Sequence, residues 1–68
     1  MSQLTIDWNL GKTGDDVYAA LVDAHQGLSD TDSHRLNTRL VLLLTNHIGD
    51  ASVIREALTR AREGLGKV

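Results

Sequence analysis

Between the glycines at 14, 27, 49 and 64 apolar residues recur every three or four positions, whereas before Gly11 they alternate with polar ones. The first spacing is that of a helix with one apolar face, and the second is that of extended chain. The pattern therefore predicts an all-α fold, a small three-helix bundle preceded by an extended N-terminal arm. Residues 1–13 form the arm, 14–64 the helical domain and 65–68 a short tail.

The first helix is expected over about Gly14 to Gln26. Thr13 is placed to cap it, Asp15 and Asp16 lie where the helix dipole favours acids, and Gly27 is free to turn left-handed at the end. Val17, Leu21, Ala24 and Leu28 make its apolar face, edged by Tyr18 and His25. The second helix begins after Ser29, with Asp32 completing a Ser-x-x-Asp capping pattern, and runs about 19 residues to Gly49. At 100° per residue Leu36, Leu40, Leu43, Leu44 and His47 share one stripe, with Val41 and Ile48 on its shoulder. Leu42 points elsewhere, among Arg35, Thr38, Arg39, Thr45 and Asn46. The run Leu40 to Leu44 is thus too apolar for a helix with a single buried face. The third helix, capped by Asp50 or Ser52, reaches about Glu63 and carries Val53, Ile54, Ala57, Leu58 and Ala61 on one side. Ala57 and Ala61, four residues apart, allow close approach of a neighbouring helix.

In the arm, Leu4, Ile6, Trp8 and Leu10 alternate with Thr5, Asp7 and Asn9. A lone strand is unstable by itself, so the arm has to lie on something. It either covers the outer side of the second helix, Leu42 included, or crosses to a second copy.

Sixty-eight residues allow one domain, at a size where burial is marginal unless packing is very good or the chain associates. The chain contains no Cys and no Pro, which removes disulfides, thiolate sites and obligatory helix breakers. The start of the chain shows no basic and apolar leader pattern, and the longest apolar run is five residues, so a soluble, cytoplasmic protein without membrane contact is expected. Charge is divided: residues 1–34 carry six Asp against Lys12, a net −5, while residues 35–68 carry six Arg or Lys against Asp50, Glu56 and Glu63, a net +3. Such halves attract each other within a chain or across two antiparallel copies.

Candidate chemistry is sparse. Gly11-Lys12-Thr13 resembles the end of a phosphate-binding loop, but Ile6 stands where the first glycine belongs and no βαβ context surrounds it. Ser29, Ser33 and Ser52 lack an elbow and an orienting acid, and capping accounts for the first and last. His25 and His47 lie on or beside apolar stripes and are candidates for a polar core in which they meet across the helix interface. If they are buried there, stability should fall on acidification as they take protons. A small-ligand or metal site through His25 and His47 is the alternative, although the usual helical ligand spacings are absent and no metal or cofactor is expected. Arg55, Thr59 and Arg62 along one face of the third helix raise a helix-turn-helix DNA-binding reading, against which the acidic balance weighs.

Ala24-His25-Gln26-Gly27-Leu28-Ser29, followed by Leu36 through Asp50, resembles a small bacterial domain-of-unknown-function family of short helical proteins. The resemblance spans roughly Val17 to Arg62. It implies a bacterial, cytoplasmic protein with no assigned activity, suited to an accessory subunit, and carries over no functional residues. The residues and the resemblance together point to an interaction module, self-associating or binding another protein, with Trp8, Leu42 and Asn46 as candidate contacts. An enzyme is not expected, because no acid/base pair, nucleophile or cofactor motif is present.

Overall fold

Two of the three helices start where an oxygen-bearing side chain sits on extended backbone. In the computed structural model, which describes residues 4–66, Ser29 has ψ 165° and its Oγ accepts from the Asp32 amide at 3.2 Å, opening α2 (Asp30–Ile48). Asp50 has ψ 107°, and its Oδ1 accepts from the amides of Ser52 (3.0 Å) and Val53 (3.3 Å), opening α3 (Ala51–Arg62). Each carboxylate or hydroxyl satisfies donors that the first turn leaves without helical partners. The Ser52 hydroxyl also donates to Asp50 Oδ1 at 2.8 Å, so the two residues proposed as alternative caps act together.

The start of α1 (Gly14–Ala24) differs from expectation. Gly11–Thr13 forms a 3-10 turn that leaves Thr13 with near-helical backbone, φ −91° and ψ −1°, from which a side chain cannot reach forward to cap. Its hydroxyl instead donates back to the Leu10 carbonyl at 2.6 Å. At the other end α1 stops at Ala24, two residues short of the expected end. The chain tightens there into i→i+3 bonds from His25 to Val22 and from Gln26 to Asp23, and Gly27 takes φ +76°. Gly49, at φ +67°, closes α2 with its amide on the Thr45 carbonyl at 2.9 Å. An L side chain at either glycine would be strained.

All secondary structure among the described residues is helical, which makes this a small all-α protein with the three expected helices. The arm forms no strand there: residues 4–10 are irregular, with bends at Asp7 and Leu10. Its first three residues, and the last two of the tail, lie outside the described residues. The arm doubles back on its own chain in two places. The Leu4 amide donates to Glu56 Oε1 on α3 at 3.3 Å. Trp8 lays its indole over the first residue of α1, with Nε1 donating to the Gly11 carbonyl at 3.0 Å. A Cβ at position 14 would collide with the Trp8 indole ring, so Gly14 is small to admit Trp8 rather than to bend the chain. The arm does not cover Leu42, which is 64% exposed.

The helices stand apart. No hydrophobic side chain among the described residues is buried, and Leu36, Leu40, Val53, Ile54 and Ala57 are only half-buried. The Cα radius of gyration is 14.0 Å, against about 11 Å for a compact domain of this length. The accessible surface is 6193 Å², whereas a compact monomer of this mass exposes about 4,200 Å².

Candidate interaction surface

A polar clasp links the end of α1 to α2. His25, at the end of α1, bonds the Leu21 carbonyl through Nδ1 at 2.6 Å and Asn37 Oδ1 on α2 through Nε2 at 2.8 Å. Both acceptors are oxygens, so only an imidazolium, with a proton on each nitrogen, donates to both at once. The His25 pKa is accordingly raised above its ordinary value, first by the Leu21 carbonyl and then by Asn37.

A groove of about 590 Å³ runs between the two helices. Leu21, Ala24 and Leu28 line it from α1, and Leu36, Leu40 and Leu43 from α2. Its α2 edge carries Arg35, Arg39 and Asp32, with Arg35 Nη1 3.6 Å from Asp32 Oδ1. The floor is thus apolar and its α2 edge mainly basic. No residue of α3 lines it. Leu43 is 69% exposed, and Leu58 on the apolar side of α3 is 61% exposed.

The residues singled out in the sequence are dispersed. Trp8 is 72% exposed, with only an edge of its ring against Gly14. Leu42 and Asn46 lie exposed on α2, Leu42 beside Arg35 at the outer edge of the groove. His25 and His47 do not make a polar core. No polar side chain among the described residues is buried; His25 is half-buried at the clasp and His47 is exposed near the end of α2. The physical reason is the open packing: with α3 away from the hairpin, the stripe that carries His47 meets solvent. Nor do any three His, Asp or Glu among the described residues converge as metal ligands would.

The other candidate chemistry is occupied by local structure. Thr13 of the Gly-Lys-Thr segment serves the 3-10 turn, Ser29 and Ser52 serve caps, and the Thr59 hydroxyl donates to the Arg55 carbonyl at 3.1 Å. Asp50 has its pKa lowered, first by the Ser52 hydroxyl bond, against the opposing effect of desolvation, with the amides of Val53 and Ser52 adding to the lowering. Arg62 folds over Gly66, where a Cβ would lie 2.8 Å from its guanidinium.

Sequence reasoning placed Leu36, Leu40 and Leu43 on the right stripe but not at an open groove. It missed Asn37 as the partner of His25 and Gly14 as the seat of Trp8. A Leu stripe reads identically whether its own chain or another covers it. The short Gly27 turn, with a donor-rich ring before it and an amide twelve residues on, was the available signal for the clasp.

Residues 4–63 match the family described as protein of unknown function (DUF2783). The chain belongs to this family. Its match takes in the arm from Leu4 as well as all three helices, a wider span than the helical blocks that carried the resemblance. No curated protein and no solved structure matches the chain. Membership brings no assigned activity with it. No helix among the described residues is long and apolar enough to cross a membrane.

Proposed function

We propose that this protein is a self-association module whose folded form is completed by a second copy of the same chain. The observation that carries the reading is surface: a 68-residue chain, two of whose three helices carry side-chain caps, exposes 6193 Å², about 2,000 Å² more than a compact monomer of its mass, and buries no hydrophobic side chain among its described residues. Open helices of 11 to 19 residues have little stability in water without an apolar face to bury. Removing that excess from both copies would cover about 4,000 Å², within the range of obligate homodimers.

Charge favours a like partner. The acidic first half and the basic second half of one copy complement the basic second half and the acidic first half of another, and an isologous pairing makes both contacts twice. A nucleic-acid surface would need the basic residues gathered on one face, and here the acidic half adjoins them.

The test is the concentration dependence of thermal unfolding, followed by circular dichroism at 222 nm over a hundredfold dilution. Folding coupled to association makes the midpoint fall on dilution. A Leu43→Ser variant, which removes an apolar group from the surface and none from a buried core, should lower the midpoint further at every concentration. A midpoint independent of concentration would contradict the reading.

A further inference from the structure

We propose that the turn between α1 and α2 is a proton-operated hinge, in which His25 pins the end of α1 to α2 and so sets the spacing of the leucines that line the groove between them. The hinge lies within one chain and stands apart from the self-association reading. Its pivot is Gly27, at φ +76°, between the end of α1 and the Ser29 cap of α2. Its pin is the imidazole, with Nδ1 2.6 Å from the Leu21 carbonyl and Nε2 2.8 Å from Asn37 Oδ1. Among the described residues no other side-chain hydrogen bond or ion pair joins α1 or His25 to α2. Leu21, whose carbonyl fixes the ring, also lines the groove. Asn37 follows Leu36 directly and stands three residues before Leu40, both of which line the groove from α2.

The proton decides how firmly the pin holds. A backbone carbonyl accepts only, so Nδ1 keeps its hydrogen in either charge state and the exchangeable proton is the one on Nε2. With that proton in place, Nε2 donates to Asn37 Oδ1 in a charge-assisted bond. Without it, a lone pair faces an amide oxygen at 2.8 Å, and either the helices part or the amide turns its nitrogen inward to make a weaker, neutral bond. The raised pKa of His25 puts this change above about pH 6.5. The groups that meet the ring are uncharged, the Leu21 carbonyl from α1 and the Asn37 amide from α2. At 100° per residue the titratable residues on the same sides are Tyr18 of α1 and Asp30 and His34 of α2, and none of them bonds to the ring. No residue of α3 bonds to it either.

The absence of Cys from the chain makes the test direct. Spin labels at Tyr18→Cys and Asn46→Cys, two exposed positions toward the open end of the hairpin, report its spread by double electron–electron resonance. An excess of unlabelled chain leaves only the intrachain distance, and circular dichroism confirms that each variant is helical. We expect a narrow distance distribution at about pH 5.5 that broadens toward longer distances at about pH 8.5. Asn37→Asp should move the change to higher pH, since a carboxylate holds the second proton more tightly. His25→Gln, which keeps His34 and His47, should show the same distribution at both pH values. A wild-type distribution that does not change with pH, or a change that persists in His25→Gln, would overturn the hinge.

Discussion

At the scale of single residues, His25 and Gly14 decide how the first helix is held, and both lend themselves to direct tests. His25 has two oxygen acceptors, so protonation strengthens the clasp. A histidine whose folded pKa is raised contributes stability that is fully present below the unfolded value of about 6.5 and is lost as pH rises through the folded value. The expected sign is therefore opposite to that of a buried, neutral imidazole: acidification from pH 8 to pH 6 should strengthen the α1–α2 contact. An NMR titration of the ring protons should place His25 above 6.5, and Asn37→Ala should move it back down. A wild-type midpoint at or below 6.5 would mean that Asn37 presents its amide nitrogen to a neutral ring. At Gly14 an added methyl collides with the Trp8 indole. Because that ring is largely exposed and free to rotate away, Gly14→Ala should change stability by no more than about 1 kcal/mol, with the helical preference of Ala offsetting lost contact. The lone Trp should, however, become more accessible, so its emission should shift to the red and its quenching by acrylamide should rise. Unchanged fluorescence would show that the indole does not sit on Gly14.

At the scale of elements, caps and left-handed glycines were the legible part of the chain. Ser29, Asp50, Gly27 and Gly49 each do locally what their residue type and spacing predict, because a cap depends on a few adjacent bonds and little on the rest of the fold. Ser29→Ala should accordingly destabilise α2 by about 1 kcal/mol, seen as a lower denaturation midpoint with an unchanged slope. A neutral result would mean that Asp32 or solvent satisfies the first turn equally well. Thr13 shows where local reasoning ends. Its residue type suits a cap, but the 3-10 turn from Gly11 sets its backbone in a helical region and turns the hydroxyl backwards. The arm shows the same limit from another side: alternation predicts extended chain, but without a strand to pair with, Leu4 and Trp8 settle on α3 and on the start of α1. The run Leu40 to Leu44 announced a helix with more apolar surface than one face can hide. Which surface would stay open was not legible, since the 3.6-residue period describes a face and says nothing of what covers it.

At the scale of the whole molecule, the helices are well formed while their apolar sides stay unburied. Hydrophobic burial is the main favourable term in folding, and a chain that leaves Leu42, Leu43 and Leu58 more than 60% exposed forgoes much of it. Pairing with a second copy recovers that term from surfaces already present and matches the division of charge between the two halves. The exposed ion pairs, Arg35 with Asp32 and Arg60 with Glu56, add little beside it. Salt should therefore weaken the pairing only modestly, while substitution of the groove leucines should weaken it strongly.

The most direct measurement is the molar mass of the intact chain in solution, by light scattering on a sizing column over a range of loading concentrations. A symmetric dimer predicts twice the 7.4 kDa of the chain at high concentration, falling toward the single-chain mass on dilution together with loss of helix. A mass of 7.4 kDa at every concentration, with full helical content, would contradict the account, because the apolar sides of the three helices would then be satisfied within one chain.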